Sequence, residues 1–323
     1  MFSFFKSQMY PIGIDAGSGT LNLAQMGWDQ QGLYLVAGAT AAVPEDIQYG
    51  TGAWQRWAVG ELKKFRAERP FKGRDVVVTL PSSEVFIDQV KVPQVAPEQL
   101  REAVIARIAP KLPCDPKDSL IQYVVTRDGS QPGGGDMDVL VMAAERVKVD
   151  RHLAVYENAN LKVAAMGVWP LAMTTSYVTF FGRRASDRES VVLLLEVRQD
   201  ATHVAICRHK DLLFARMVPI GRMQLTSEEM MKRLVLEIAA CQRHFESISG
   251  MTRIERILLF AGQNVEKAIC DNLAQLAQKL HVSAQLADVV AAVDIRQGQD
   301  RGVDRRVGNV NWTTAFGLGL SLN

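Results

Sequence analysis

Asp15 stands at the end of an apolar run, Ile12-Gly13-Ile14-Asp15, and leads into Ala16-Gly17-Ser18-Gly19-Thr20 and then Leu21-Asn22-Leu23. These residue types suit an anion cradle. Gly17 and Gly19 let main-chain N–H groups approach an anion closely. Ser18 and Thr20 add hydroxyls. Asp15 would repel a phosphate, so its use there is to hold a metal-bound water. Strand-like sequence lies on both sides, so the loop is a hairpin. The Gly-rich turn of dinucleotide folds instead opens a helix, and a Walker loop ends in Gly-Lys-Ser/Thr. Taken alone, these residues fit a plain Gly-Ser hairpin turn equally well.

A second copy strengthens the ligand reading. Val191-Val192-Leu193-Leu194-Leu195-Glu196 is again an apolar strand ending in an acid. It is followed by Val197-Arg198-Gln199-Asp200-Ala201-Thr202, a strand at His203–Cys207, a polar turn at Arg208–Asp211 and a third strand at Leu212–Pro219. The first copy has the same third part, a turn at Trp28–Gly32 and then Leu33-Tyr34-Leu35-Val36. Each unit runs on into helical sequence. Two such units predict a duplicated α/β fold with a cleft between its halves; the alternative is two unrelated β-meanders.

Composition bounds what this fold can do. The 323 residues, 48% of them hydrophobic, can fill two ordinary cores. A net charge of +2 from 37 basic and 35 acidic residues gives no reason to invoke nucleic acid. Cys114, Cys207, Cys241 and Cys270 lie far apart and read as reduced residues of a cytoplasmic protein. His152, His203, His209, His244 and His281 have no metal-ligand spacing, so no metal site of the chain's own is expected. His203 itself reads as a surface residue of its strand. No apolar run is long enough to cross a bilayer. Met1-Phe2-Ser3-Phe4-Phe5-Lys6 is too short for a signal peptide and could touch a membrane or a neighbour.

The elements that must position the loops follow from periodicity. Thr51–Arg69 carries Trp54, Ala58, Leu62 and Phe65 at helical spacing and stops at Pro70. Asp75–Leu80 and Val85–Val92 read as strands, Pro97–Ala109 as a helix with proline at its start. Ile121–Thr126 and Met137–Ala143 form a hairpin, Val147–Asn158 a helix and Val163–Val168 a strand. Residues 76–168 therefore read as a small α/β insertion in the first half. An apolar helix at Trp169–Phe181 and a charged connector at Gly182–Ser190 divide the chain into halves at 1–182 and 183–323. In the second half, Thr226 and Glu229 fit a capping box for a helix reaching Ser247. A strand at Ile254–Phe260, a helix to His281, a short strand at Val282–Leu286 and a helix at Trp312–Leu320 complete it.

In this order the motifs resemble the type IV pilus assembly protein PilM family, within the actin-like superfamily that includes FtsA. The resemblance spans nearly the whole chain. It is carried by Met1–Lys6, Gly13–Ser18, Val78-Thr79-Leu80-Pro81-Ser82-Ser83-Glu84-Val85-Phe86, Leu140–Glu145, Val218-Pro219-Ile220-Gly221 and Glu237–Ser249 before Ile254–Ile257. It implies a duplicated actin-like (ribonuclease H-like) fold with an ATP cleft between the halves. It also implies a cytoplasmic chain held at the inner membrane by a partner. That partner is PilN, a single-span membrane protein whose short cytoplasmic N-terminal peptide is captured in a groove beside the inserted subdomain, with self-association into a ring. Carried over by position, Asp15, Gly17, Ser18, Gly19, Thr20 and Asn22 belong to the first phosphate loop. Glu196, Asp200 and Thr202 belong to the second, and Gly262 and Gln263 to the adenosine turn. Magnesium enters only through Asp15 and only with a nucleotide. The groove candidates are Pro81, Val85, Phe86, Leu112 and Pro113, each of which also reads as packing for the insertion's own core.

Departures from the family pattern concentrate on the nucleotide. The family has Lys where Asn22 stands, and a glycine where Arg198 follows Glu196-Val197. Arg198 could clash with a phosphate or offer it a new charged contact. The adenosine turn, Phe260-Ala261-Gly262-Gln263, keeps a single glycine, and the lid subdomain looks trimmed near residues 222–236. Together they predict a scaffold or adaptor of a type IV pilus or type II secretion-like platform whose ATP binding has decayed. The alternatives are an actin-like ATPase, with Asp15 on the metal and Glu196 polarising water, whose nucleotide state gates the partner, or a filament former of the FtsA kind.

Overall fold

Both faces of the first strand are apolar or small, which suits only the middle of a covered sheet. In a computed structural model, which describes residues 8–127, 135–248, 252–261, 267–296, 301–303 and 310–322, that strand is central. β1 (Gln8–Ala16), β2 (Thr20–Asp29) and β3 (Gly32–Ala42) form an antiparallel meander. After α1 (Gly52–Glu68), β4 (Asp75–Thr79) returns parallel to β1. Thr51 caps α1 by accepting from the Trp54 N–H. Ile12, Ile14 and Ala16 pack with Trp54, Leu62 and Phe65 of that helix.

From β4 the chain leaves the sheet. β5 (Phe86–Val92), α2 (Pro97–Ile108), β6 (Ser119–Arg127) and β7 (Met137–Glu145) build a separate three-stranded sheet, in the order β5-β7-β6, with Val104 and Ile108 of α2 in its core. The chain re-enters through α3 (Arg146–Asn158), whose Val155 and Tyr156 join the core of α1, and β8 (Lys162–Gly167), parallel to β4. The expected insertion at 76–168 is therefore too wide. Its end strands, β4 and β8, belong to the five-stranded sheet β3-β2-β1-β4-β8. Short apolar runs cannot say which of two sheets they join.

α4 (Trp169–Phe180) crosses to the second half, which repeats the plan. β9 (Val191–Val197), β10 (Thr202–Arg208) and β11 (Asp211–Val218) form the second meander. α5 (Glu228–Ile248), β12 (Arg256–Phe260), α6 (Lys267–Leu280) and β13 (Ser283–Ala287) complete a sheet in the order β11-β10-β9-β12-β13. α7 (Val289–Ala292) and α8 (Thr313–Leu320) follow. Residues 219–227 alone join β11 to α5, so no subdomain stands there. The cap of α5 is Ser227, whose hydroxyl accepts from the Met230 N–H at 3.3 Å, one residue later than the expected Thr226.

α4 and α8 lie between the sheets and fuse the halves. Trp169, Met173, Tyr177, Phe316 and Leu320 share one core with Ala24 and Met26 of the first sheet and Leu194, Ala205 and Leu258 of the second. The three-stranded sheet adds a further tie, with Ile87 and Leu140 packed into that core. Among the described residues no helix is long and apolar enough to cross a membrane.

Candidate functional site

The duplication places one acid at the carboxyl end of each central strand. Asp15 on β1 lies between Asn22 of β2 and Thr79 of β4. Glu196 on β9 holds the corresponding place, between His203 of β10 and Phe260 of β12. Carboxyl ends of parallel strands are where open α/β sheets bind ligands. Here the two loops meet directly instead.

Arg198, two residues after Glu196, reaches across the cleft and grips Asp15 with both arms of its guanidinium. Nη1 donates to Oδ2 at 2.8 Å and Nη2 to Oδ1 at 3.1 Å. The same Nη1 lies 3.5 Å from Glu196 Oε1. Ser18 Oγ donates to Asp200 Oδ2 at 2.8 Å, a second bond between the loops. Gly17 and Gly19 are used for close approach, to side chains of the second loop. A Cβ on Gly17 would lie 2.9 Å from Arg198 Nη2, and one on Gly19 would overlap the Gln199 amide. Backbone bonds fix the second loop: the Arg222 N–H donates to the Arg198 carbonyl at 2.8 Å and the Met223 N–H to that of Gln199 at 3.0 Å.

Burial alone would discharge these groups, and their mutual attraction decides otherwise. Burial disfavours the Arg198 charge, yet Asp15 first and Glu196 second raise its pKa further. Burial likewise pushes Glu196 up, but Arg198, a hydrogen bond from His203 and one from Thr314 bring it below its ordinary 4.5. His203 goes the other way: burial lowers its pKa despite Glu196. It is 2% exposed, its Nδ1 is 3.1 Å from Glu196 Oε2, and its ring stacks on Trp169 at 4.0 Å between centroids. The expectation of a surface histidine is thus corrected. Its place in register with Glu196 puts it under α4, which the alternation of its own strand could not reveal.

The other expected site residues divide. Ser18, Gly19, Thr20, Asn22, Glu196 and Asp200 line a cavity of about 220 Å³ beside the ion pair, along with Gln199, Arg222 and Asn311. Asn22 has no charge to offer; it accepts from Thr40 Oγ1 at 2.7 Å and donates to Thr20 Oγ1 at 3.3 Å. Thr202 points away, donating to the Ile220 carbonyl at 2.6 Å from a fully buried position. Gly262 and Gln263 lie outside the described residues. Sequence reasoning missed Gln199, Arg222 and Asn311. The charge of Arg198 so close to Glu196 was the one signal for the pair.

A nucleotide with its metal does not fit these side chains as they stand. The acid that would hold the metal's water already receives two guanidinium hydrogen bonds, and Gln199 lies against the loop that would cradle phosphate. The cavity that remains carries the Glu196 and Asp200 carboxylates beside Arg198 and Arg222. Among the described residues no group of three or more His, Cys, Asp or Glu could hold a metal ion.

A second depression, of about 270 Å³, opens where the three-stranded sheet meets the first half. Val85, Phe86, Leu112 and Pro113 line it, with Glu84, Glu145, Lys111 and Lys148 around them. Pro81 stands apart from these four, in a small cavity against Asp15, Arg198 and His203. Behind the depression, Glu84 ties three elements together. It pairs with Arg151, accepts from the Tyr49 hydroxyl at 3.1 Å and lies 3.2 Å from His152 Nε2. Burial pushes the Glu84 carboxyl up, but His152, Arg151 and Tyr49 together hold it below 4.5.

These shifts set an acid sensitivity. His203, Glu196 and Glu84 all have depressed pKa values in the fold, so the unfolded chain binds more protons and stability rises with pH. The stabilisation is complete above the ordinary histidine value of 6.5 and falls first as unfolded His203 protonates. It falls more steeply below the ordinary glutamate value of 4.5, where Glu196 and Glu84 must protonate. Urea midpoints are expected to be flat from pH 8 to about 7 and to drop at each lower step. An Arg198-independent, flat profile down to about pH 4 would contradict this assignment.

Against this geometry, a family described as type IV pilus assembly protein PilM matches residues 13–234. No curated protein matches the chain. Among solved structures, the PilM–PilN type IV pilus biogenesis complex superposes with a TM-score of 0.74 at 18% identity, over 97% of this chain and 98% of that one. A Bacteroides thetaiotaomicron protein with an actin-like ATPase fold and unknown function gives 0.48 at 11% identity, over 91% and 96%. The cytoplasmic domain of EpsL, an inner membrane component of the type II secretion system of Vibrio cholerae, gives 0.47 at 12%, over 85% and 95%. The first of these likenesses bears out the duplicated actin-like fold.

Proposed function

Because the chain belongs to the type IV pilus assembly protein PilM family, we propose that it is an adaptor of a pilus or type II secretion-like platform, working at the cytoplasmic face of the inner membrane. Its partner in this reading is a PilN-like single-span protein, held by its cytoplasmic N-terminal peptide. The observation that carries the reading is the depression lined by Val85, Phe86, Leu112 and Pro113 at the edge of the three-stranded sheet. It offers apolar side chains for an extended or helical peptide, with Lys111, paired to Asp88, and the Lys148–Glu145 pair at its rim. The PilM of the superposed complex pairs with PilN, which supports the choice of partner.

The ATPase alternative needs Asp15 free for a metal and Glu196 free for water. Both are engaged by Arg198. That engagement supports an adaptor whose partner binding is not gated by nucleotide.

The test is calorimetric titration with a peptide copying the cytoplasmic head of the PilN-like protein from the same organism. Leu112→Asp is expected to weaken binding by about tenfold or more, as loss of an apolar anchor does. Leu286→Asp, on the far exposed strand β13, is expected to leave it unchanged. Equal affinity for wild type and Leu112→Asp, with both folded, would place the peptide elsewhere.

A further inference from the structure

We infer that Arg198 is a built-in cation, a part of the chain that joins the acids of the two halves, so that the cleft is held together without a ligand. The reason begins with the duplication. A fold that ends each central strand in an acid brings two carboxylates, Asp15 and Glu196, toward one point from opposite sheets. Asp15 is 3% exposed and Glu196 fully buried. Two buried like charges that close are tolerated only with a counter-charge between them.

Arg198 supplies that counter-charge from the loop after β9. One nitrogen, Nη1, contacts both acids, at 2.8 Å and 3.5 Å, while Nη2 completes the fork on Asp15. Arginine suits the position because its fork matches a carboxylate and its charge is not lost on burial. The bridge joins residues 183 positions apart, across the cleft. It also draws the second loop onto the first, where Gly17 and Gly19 leave room for Arg198 and Gln199 in place of a phosphate. Closure is therefore a property of the folded chain.

This deepens the adaptor reading and rests on it only for the idea that the cleft takes no ligand, so the test reads metal ions and not peptide. The probes are Mg²⁺ and Mn²⁺ alone, at millimolar concentration, on the full chain. The wild-type melting midpoint is expected to ignore both ions and Mg·ATP, and calorimetry with Mn²⁺ is expected to show no binding. Arg198→Ala is expected to melt at a lower temperature and to gain a few degrees from either ion, because Mg²⁺ needs only one or two carboxylates and its own waters. Adding Asp15→Asn to Arg198→Ala should abolish that gain. Wild-type protein that binds Mn²⁺ or is stabilised by Mg·ATP overturns the inference. So does a folded Arg198→Ala with an unchanged midpoint or no response to metal. Where Arg198→Ala fails to fold, the wild-type titration decides: no Mn²⁺ binding supports the built-in cation, and binding overturns it. Peptide affinity can survive or fail independently of all these outcomes.

Discussion

Gly317→Leu is expected to cost about 3 kcal/mol or more and to weaken both halves at once. Gly317 lies in α8 where that helix crosses α4, and a Cβ there would overlap the Ala172 carbonyl oxygen and carbon. Those are backbone atoms, so no side chain can swing aside. Relief requires α8 to move off α4, and neither helix is free to move. α8 also rests on β1, where Gly13 has no room for a Cβ against the Ala315 carbonyl. Trp169, Met173, Tyr177 and Phe316 of the two helices fill the core shared by both sheets. Separating them would open cavities beside large, fully buried rings, and each such loss costs kilocalories. Gly60→Ala in α1 is the control, since nothing lies within 4 Å of the added atom. It is expected to stabilise by up to about 1 kcal/mol through helix propensity alone. Urea unfolding of the three proteins reads the contrast. A Gly317→Leu variant as stable as wild type would mean that the helices between the sheets are loosely packed.

The same crossing shows what could be read in the sequence and what could not. The two meanders were legible because an acid ends an apolar run twice, at Asp15 and Glu196, followed each time by a polar loop and two further strands. Helix α1 was legible from the spacing of Trp54, Leu62 and Phe65, and α5 from the capping signal at its start, read one residue early. The extent of the three-stranded sheet was not. β4 and β8 are short apolar runs, and only long-range pairing decides that β4 joins β1, that β8 joins β4, and that neither joins β5. His203 was misread because its burial comes from Trp169, on a different element. Of the groove candidates, Val85, Phe86, Leu112 and Pro113 come together, while Pro81 turns toward the cleft. Arg198 drew notice as a residue in place of a glycine. Its target is not a local matter. An arginine in a loop can face solvent, phosphate or a carboxylate, and the choice depends on what the other half brings near it.

That choice changes how an Asp15 variant must be interpreted. In a cleft that binds a metal nucleotide, Asp15→Ala is a loss-of-ligand control and leaves the fold alone. Here it is expected to destabilise the protein by about 3–5 kcal/mol, the usual cost of breaking a buried ion pair from one side. Arg198 keeps Glu196 at 3.5 Å, so the effect belongs toward the lower end of that range. The asymmetry of buried pairs gives the check. Removing both partners, as Asp15→Leu with Arg198→Met, relieves the burden of desolvating them and is expected to recover most of the loss, leaving a positive coupling of about 1–3 kcal/mol in a double-mutant cycle. Glu196 keeps His203 and Thr314 on Oε2 in that double variant but loses the Arg198 charge beside Oε1, which sets the part of the loss that is not recovered. Urea unfolding at pH 7.5, where the acid-labile groups are quiet, gives all four stabilities. Additive single effects would mean that Asp15 and Arg198 do not depend on each other. If the coupling is found, a pilus defect in an Asp15→Ala strain reports lost folded protein, and the peptide affinity of whatever remains folded should equal that of wild type.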